Sequence, residues 1–454
     1  MAYRQEHNSL IDIYYPDYFF LEVIMDNFHF IGIKGSGMSA AAQLLSDLGN
    51  QVQGEDIESF LFTQMPLDSR NIPIYAFGTA PLSSNMKVIA SNAYDDSHPS
   101  IVRCKELGIP VYRYHHFLGE WMKGYTSIAI TGAHGKTTTT GMMVHALDAV
   151  EPANSLIGDG TGKGYPDARL FIFESCEYRR HFLAYKPDIA VITNIDFDHP
   201  DYFRDIDDVR NAFEEMASQT GKQLVVCGDD PQIRLLRTSA DILHYGFGEN
   251  NELRASNLEA GSTGLTFDVS YKNTGIGRFA IPVFGKHNVL NAMAVIGTAL
   301  VLDLDMETIK AQLATFSGVK RRFTEKKWGS NVVIDDYAHH PAEIRATLEA
   351  VRSKYPSKKV VGIFQPHTFS RLEKLLDDFA LSLSDADDVY LCQIFGSARE
   401  GKGSVSIDDL RTRIPNARLV SENITSDMSP YNDSILVFMG AGDIQKYQDV
   451  LFQS

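Results

Sequence analysis

The feature that most constrains this chain is a glycine-rich turn between an apolar run and a helical pattern. The run at positions 127–130 reads SIAI, which is typical of a buried strand, and TGAHGKTTTT follows at positions 131–140. Glycines in such a turn let backbone N–H groups converge on phosphate oxygens, and the N-terminus of the next helix adds a favourable dipole. The pattern therefore predicts a strand, a phosphate loop and a helix within an α/β domain.

Particular residues of this phosphate loop have expected roles. Lys136 reaches the terminal phosphates of a nucleotide, and the Thr137 hydroxyl joins a Mg²⁺ shell. Only two residues separate Gly132 from Gly135, so the loop is a subtype of the common G-x-x-x-x-G-K-[ST] form. The alternative is an ordinary turn that happens to contain GKT. The expected nucleotide contacts are Gly132, Ala133, His134, Gly135, Lys136, Thr137 and Thr138.

Length, composition and charge limit the class of protein that carries this loop. The 454 residues are 44% hydrophobic and 22% charged, as in soluble globular proteins. This length is enough for about two to four domains. The chain contains no apolar run of about 18 residues, so we expect no membrane span. The net charge of −16 argues against nonspecific binding to nucleic acid or membranes, so the site itself must supply positive charge for an anionic substrate.

The cysteines and the N-terminal segment indicate the cytoplasm. Four cysteines are scattered without a C-x-x-C spacing, which predicts reduced, buried thiols rather than disulfides or a zinc site. Residues 1–24 lack the basic and apolar segments of a signal peptide. We interpret Met25 as the biological start and the preceding residues as an upstream extension. The cysteines are Cys104, Cys176, Cys227 and Cys392.

Strand-like runs alternate with helical patterns along the chain, which is typical of parallel α/β sheets. We predict an α/β protein with a Rossmann-like domain, a central P-loop ATPase-like domain and a second Rossmann-like domain. Residues 252–284 alternate in character and predict antiparallel strands. The last region contains three strand-like runs, at 332–334, 360–364 and 435–439. The predicted division is an extension over residues 1–25 and domains over residues 26–124, 125–318 and 319–454.

A second glycine loop lies in the first predicted domain. Gly35-x-Gly37-x-x-Ala40, with Asp56 about 20 residues further on, matches the dinucleotide fingerprint. Alone it suggests NAD, but the same turn holds the pyrophosphate of any nucleotide. Asp56 either contacts the ligand or is a solvated residue at the end of a strand. The expected substrate contacts of this domain are Gly35, Ser36, Gly37, Met38, Asp56 and Asn92.

Two strand ends of the central region carry candidate metal ligands. Mg²⁺ prefers oxygen ligands and takes one or two carboxylates with phosphates and water, so Glu174 with the Thr137 hydroxyl fits it. His199 is a candidate ligand for a second metal, and its alternative is a histidine bonded to the neighbouring acids. Glu177 either supports the site or is solvated.

Amide and histidine side chains indicate two further candidate binding regions. Asn288 and Asn291 lie three residues apart on one helix face, where amides either pair with an adenine edge or cap the helix. In the last region, DDYAHHP and FQPHTFSR each follow a strand, so their polar groups gather at one sheet edge. His339 and His340 do not indicate zinc, because adjacent side chains point apart.

Seven ordered motifs resemble the Mur ligase family. The resemblance spans roughly residues 26–445. It implies three domains that bind a UDP-linked substrate, ATP and the incoming amino acid, so the first glycine loop would hold UDP rather than NAD. The motifs are TGAHGKTTTT, FESCE, TNIDFDHPD, GKHNVLNA, VKRRF, DDYAHHP and FQPHTFSR.

Within the family, GIKGSGMSA and DDYAHHP are most similar to a ligase of peptidoglycan precursor synthesis, and we expect a monomer or a weak homodimer. With ATP and Mg²⁺ it would join L-alanine to the carboxylate of UDP-N-acetylmuramate through an acyl phosphate. A ligase that attaches a whole tripeptide is the alternative. A folate polyglutamylating enzyme, an inactive nucleotide-binding regulator and an NAD dehydrogenase explain fewer of the motifs.

The resemblance also implies roles for individual residues. Lys136 would neutralise phosphates, Thr137 and Glu174 would hold one Mg²⁺, and His199 would hold a second. Contacts to ATP would come from His287, Asn288, Asn291, Arg322 and Asp336. Groups around the alanine and the muramoyl carboxylate would be Tyr337, His339, His340, His367 and Arg371.

Three departures from the family pattern stand out. Residues 204–218 contain no lysine, so the modified lysine of related ligases would be absent. Thr368 stands where some members have a basic residue. The stretch around Arg179 and Arg180 is unusually basic, and we predict that one of the two faces a phosphate or carboxylate of the substrate. Plain surface salt bridges are the alternative.

Overall fold

Three β-sheets, each flanked by helices, organise the chain. The computed structural model describes residues 26–396, 400, 403–421 and 423–453. The predictions for Met25 and the upstream extension concern residues outside these ranges. No helix within them is both long enough and apolar enough to cross a membrane. The predicted α/β class with three domains is confirmed.

The first sheet is formed by five parallel strands, all within residues 27–113. The strands are β1 (Asn27–Ile31), β2 (Gln51–Asp56), β3 (Ile74–Ala76), β4 (Met86–Ala90) and β5 (Val111–Arg113). The helices are α1 (Ser36–Asp47), α2 (Met65–Asp68), α3 (Pro99–Glu106) and α4 (Tyr114–Trp121). The strand order β3-β2-β1-β4-β5 reverses beside β1. The glycine loop between β1 and α1 therefore opens into the crevice where such sheets bind ligands.

The second sheet has ten strands. They are β6 (Thr126–Thr131), β7 (Ala153–Leu156), β8 (Gly162–Lys163), β9 (Leu170–Glu174), β10 (Ile189–Ile192), β11 (Gln223–Cys227), β12 (Asp241–Gly246), β13 (Leu253–Ala260), β14 (Leu265–Tyr271) and β15 (Thr274–Ile281). Its helices are α5 (Lys136–Leu147), α6 (Ile206–Gln219), α7 (Lys286–Val301) and α8 (Met306–Leu313). The order is β15-β14-β13-β12-β11-β10-β6-β9-β7-β8. Strands β13 to β15 pair antiparallel, which confirms the prediction for residues 252–284.

The third sheet has six strands, of which only three were predicted. They are β16 (Thr324–Trp328), β17 (Asn331–Asp336), β18 (Val360–Phe364), β19 (Asp388–Leu391), β20 (Arg418–Leu419) and β21 (Ile435–Met439). Its helices are α9 (Pro341–Lys354), α10 (Phe369–Lys374), α11 (Leu376–Leu383), α12 (Ile407–Arg411), α13 (Ile424–Met428) and α14 (Gln445–Gln453). The order is β16-β17-β21-β18-β19-β20, and only β16 runs antiparallel to its neighbour. The predicted strands, β17, β21 and β18, are three of the four strands that lie between the edge strands β16 and β20.

Helix α1 of the first domain packs tightly against the β8 segment of the central domain. A methyl group added at Gly162 would overlap the Ala40 carbonyl, and one at Gly164 would lie 2.6 Å from the Leu44 carbonyl oxygen. The Gln43 amide also donates a 2.7 Å hydrogen bond to the carbonyl oxygen of Gly160. The first and central domains thus meet with backbone against backbone.

Candidate active site

The phosphate loop has the predicted context, because it joins the end of β6 to the first residue of α5. Gly132 and Gly135 adopt φ values of 135° and 81°, which side-chain-bearing residues rarely take. The loop curls around its own lysine. Lys136 Nζ donates to the carbonyl oxygens of Gly132 and Ala133 at 2.5 and 3.0 Å.

Lys136 also forms a buried ion pair with Glu177. The distance from Nζ to Oε2 is 3.0 Å, and Glu177 is only 2% exposed. Burial alone would raise the pKa of Glu177, but Lys136 and His199 hold it below its usual value. The alternative that Glu177 is solvated is therefore wrong. The Glu177 carboxylate therefore holds the Lys136 ammonium group in place at the phosphate loop.

Thr137 and Glu174 form the next pair in the site. The Thr137 hydroxyl donates to Glu174 Oε2 at 2.8 Å. Burial raises the pKa of Glu174, although the nearby charge of Lys136 opposes this. The pair brings a hydroxyl and one carboxylate together at the start of α5. This donor set fits Mg²⁺, which needs few protein ligands when phosphates and water supply the rest.

His199 lies on the other side of Glu177. Its Nε2 is 3.6 Å from Glu177 Oε1 and 3.7 Å from Asp198 Oδ2, and its ring centroid is 4.5 Å from that of Tyr178. This geometry matches the alternative to metal binding, in which His199 interacts with neighbouring acidic side chains. Its role as a metal ligand stays a prediction.

The third domain reaches the segment that follows β10 through Arg371. The Arg371 guanidinium pairs with Asp198, with Nε and Oδ1 2.9 Å apart, and both residues are buried. Arg371 Nη1 also donates to the His367 carbonyl oxygen at 2.6 Å. The His367 ring lies 6.3 Å from that of His339, as expected for groups at one sheet edge.

A polar cluster bridges the central and third domains next to the phosphate loop. We call His134, Asp196, His340 and Glu343 the bridging cluster. His134 Nε2 lies 2.9 Å from Asp196 Oδ2, and His134 Nδ1 lies 3.7 Å from Glu343 Oε1. Burial alone would lower the pKa of His134, but the two carboxylates raise it to about 9. His134 is therefore an imidazolium held between acids of two domains.

Glu343 belongs to the site but was not among the residues predicted from the sequence. It occupies the third position of α9 and completes a capping box with His340. Its Oε2 also lies 3.0 Å from His339 Nδ1. A glutamate three residues after the capping residue is a recognisable helix-start signal. That signal indicates a local role and gives no hint of the contact with His134.

A cavity of about 500 Å³ lies between the central and third domains. This volume suits a nucleotide-sized ligand. Its lining combines polar residues with aromatic and aliphatic side chains. The polar residues include His134, Thr138, His287, Asn288, Asn291, Arg322, Asp336 and Glu343.

Asn288 and Asn291 face this cavity, but neither caps α7. The Asn288 amide donates to the Phe284 carbonyl at 2.7 Å, and the Asn291 amide donates to Asn288 Oδ1 at 3.1 Å. The capping alternative is wrong, because Gly285 precedes the helix without a side-chain cap. Burial and the charge of Arg322 lower the pKa of His287 to about 4, so its ring is neutral. The adenine contact stays a prediction.

Asp336 and Arg322 line the cavity from the third domain. Asp336 accepts hydrogen bonds from the backbone N–H groups of Phe323 and Ala338, at 2.9 and 2.8 Å. Burial raises its pKa to about 6, against the opposing charge of Arg322. Arg322 lies over the Tyr337 ring at 5.2 Å and pairs with Glu343 at 3.5 Å. Both residues are thus held by the third domain at the cavity wall.

In the first domain, Asp56 is buried rather than solvated. Its two oxygens accept hydrogen bonds from the backbone N–H groups of Lys34 and Ile57, at 2.6 and 2.7 Å. It therefore shapes the glycine loop. Asn92 lies between His115 and His181, at 2.9 and 3.3 Å. The substrate contacts expected from Gly35, Ser36, Gly37, Met38, Asp56 and Asn92 stay predictions.

Two expectations about side chains need correction. Arg180 forms ion pairs of 2.8 Å with Asp208 and with Glu215 on α6, so the salt-bridge alternative holds for it. Arg179 is exposed and remains the candidate substrate contact of the two. The cysteines were expected to be buried, which holds for three of them, but Cys176 is exposed.

Comparison with known proteins places these features in a family. Three consecutive family models match the chain. The first, described as Mur ligase family, catalytic domain, matches residues 27–126. The Mur ligase middle domain matches residues 130–299, and the Mur ligase, glutamate ligase domain matches residues 321–442.

Solved structures agree with this assignment. UDP-N-acetylmuramate–alanine ligase MurC from Thermotoga maritima is 28% identical, with a TM-score of 0.78 over 94% of this chain and 98% of that one. A murein peptide ligase from Psychrobacter arcticus is 23% identical, with a TM-score of 0.69 over 94% and 98%. MurF ligase from Thermotoga maritima, solved in complex with ADP, is 14% identical, with a TM-score of 0.62 over 95% and 99%. The last two comparisons support the fold. The chain belongs to the Mur ligase family, whose members are ATP-dependent amide-bond ligases of peptidoglycan synthesis.

Proposed function

We propose that this protein joins L-alanine to the carboxylate of UDP-N-acetylmuramate in the cytoplasm, with conversion of ATP to ADP and phosphate. The observation that carries the proposal is the assembly around the phosphate loop. Residues of the central domain and of the third domain converge there, as the contact between His134 and Glu343 illustrates. The 28% identity to an alanine ligase supports the choice of amine.

The reaction explains why these residue types are needed. A carboxylate is a poor electrophile, so transfer of the γ-phosphoryl group first converts it to an acyl phosphate. The amine of alanine then attacks the carbonyl carbon, and phosphate leaves. Phosphoryl transfer depends on positioning and charge neutralisation, which Lys136 at the phosphate loop supplies.

Thr137 and Glu174 would hold the Mg²⁺ that accompanies ATP. The ion supplies positive charge against the phosphate oxygens when it is bound. The protein's own part is to keep the Thr137 hydroxyl and the Glu174 carboxylate together, as their 2.8 Å hydrogen bond does. His199 is the candidate ligand for a second ion.

The incoming amine would enter from the third domain. Arg371, which is held by Asp198, would lie near the reacting carboxylate, and Tyr337 and His367 would flank the amino-acid position. The amine must lose a proton when it attacks, and His339 and His340 are the candidate acceptors, because imidazole is the usual general base of such sites. Burial lowers the pKa of His340 to about 4, so its ring is neutral but weakly basic.

A tripeptide ligase is the second candidate function. The murein peptide ligase from Psychrobacter arcticus shares this fold over 94% of this chain, so the fold does not separate the two functions. The two functions differ in the amine that they accept. A small amine and a tripeptide need different space beside His367 and Arg371.

Phosphate release from ATP and Mg²⁺ in the presence of UDP-N-acetylmuramate tests both functions. We expect release that requires L-alanine, together with a product whose mass has increased by one alanyl residue. Release with the tripeptide alone would move the protein to the second candidate. Absence of release with every amine would contradict both.

A further inference from the structure

Cys176 lies beside two other groups that bind metals. Its thiol, a Glu177 carboxylate oxygen and a His199 ring nitrogen are all within 4.8 Å of one another. Glu177 Oε1 and His199 Nε2 are 3.6 Å apart. In a tetrahedral zinc site, sulfur, nitrogen and oxygen ligands lie about 3.3–3.6 Å apart. Small side-chain shifts would therefore place all three atoms on a single ion.

The chemistry of the donors selects the kind of ion. A thiolate and an imidazole with one carboxylate suit Zn²⁺ or Co²⁺, whereas Mg²⁺ prefers oxygen alone. We infer that Cys176, Glu177 and His199 form a binding site for a thiophilic divalent cation of the Zn²⁺ class. The protein supplies three ligands, and the fourth position is left for water.

Access and charge both favour this site. Cys176 is exposed, so an ion reaches its sulfur from solvent, while Glu177 is buried. The Cys176 thiolate and the carboxylates of Glu174 and Glu177 together balance the ion and the Lys136 ammonium. Binding forms a metal–sulfur bond and breaks the S–H bond, and the proton is released to solvent without any redox change.

The site overlaps the proposed active site at His199. A thiophilic ion held there competes with the arrangement proposed for Mg²⁺ and so inhibits phosphate release. This inhibition rests on the proposed function. The binding of the ion itself does not depend on that function.

Cobalt absorption tests the site directly, with full-length protein and no nucleotide. We expect Co²⁺ to produce a thiolate-to-metal charge-transfer band that saturates at one ion per chain. Cys176→Ser should abolish the band, and His199→Ala should weaken Co²⁺ binding by about tenfold or more. Cys104→Ala is the matched control, because this thiol is buried in the first domain, and it should keep the band.

Two results would overturn the inference. One is the absence of a charge-transfer band in the unmodified protein, and the other is a band that Cys176→Ser leaves unchanged. Circular dichroism melting curves establish that each variant is folded. A Cys176-dependent band in a protein without ligase activity would support the site and contradict the proposed function separately.

Discussion

Arg371 of the third domain and Asp198 of the central domain form a buried ion pair. Nε and Oδ1 lie 2.9 Å apart, and Nη2 and Oδ2 lie 3.3 Å apart. Both residues are almost as buried from solvent as residues of the hydrophobic core. Since a buried charge without a partner is costly, this pair favours the arrangement in which the third domain packs against the segment that follows β10 of the central domain.

Arg371→Met should destabilise this closed arrangement by about 3–5 kcal/mol, because Asp198 is left buried without its partner. We expect kcat/KM for phosphate release to fall by at least about a hundredfold. The double variant Asp198→Asn/Arg371→Met removes both charges. Small-angle scattering should show a more open protein for the single variant than for the double variant. Equal scattering for all three proteins would contradict the structural role of the pair.

Lys136→Met separates the structural role of the Lys136–Glu177 pair from its chemical role. Loss of the lysine leaves the buried Glu177 carboxylate without its partner and should lower the free energy of unfolding by about 3 kcal/mol or more. Adding Glu177→Gln should restore most of this stability. Phosphate release should stay at least about a hundredfold below the unmodified rate in both variants. Denaturant unfolding and steady-state kinetics provide the two measurements, and recovered activity in the double variant would contradict the prediction.

Glu174→Gln should raise the Mg²⁺ concentration required for half-maximal phosphate release by about 10–100-fold. The amide keeps the size of the side chain but removes the negative charge beside the Thr137 hydroxyl. A Mg²⁺ titration of the rate measures the effect. Glu215→Gln on α6 is the control, because Glu215 pairs with Arg180 and should leave the Mg²⁺ requirement unchanged.

The bridging cluster should make stability depend on pH in the alkaline range. The pKa of His134 is raised to about 9, so its contribution is complete below its ordinary value of about 6.5 and is lost as pH rises through about 9. The loss is on the order of 2–3 kcal/mol. His340, Asp196 and Glu343 are the titratable groups facing it. Melting temperatures measured at pH values between about 6.5 and about 9 give this dependence of stability on pH.

His134→Gln should flatten that pH dependence. His145→Gln is the matched control, because His145 also lies on the phosphate-loop side of the central domain but contacts Gln312 and Thr315. It should keep the slope. An equal slope in the unmodified protein and in His134→Gln would show that other groups titrate in this range.

The predictable part of the fold follows from burial and local chemistry. Strands β17, β18 and β21 lie in the interior of their sheet, and each contains a continuous apolar run. Strand β16 is an edge strand with the sequence TEKKW, and β20 has two residues, so neither carries that signal. The phosphate loop was recognisable because its glycines and lysine act within one short segment.

The rest of the site depends on contacts between distant segments. Glu343 meets His134 only after two domains pack, and Arg180 meets α6 only in the folded central domain. No spacing along the chain encodes either partner. Periodicity also gave no indication that Cys176 is exposed, because its exposure follows from the irregular path of the residues after β9.

The backbone contact between α1 and the β8 segment leaves no clearance for sliding. Ala40 faces Gly162 so closely that even a methyl group would not fit. The glycine loop of the first domain and the phosphate loop of the central domain are therefore held at a fixed separation. In the proposed reaction, only a sugar nucleotide whose carboxylate reaches across that separation would be activated.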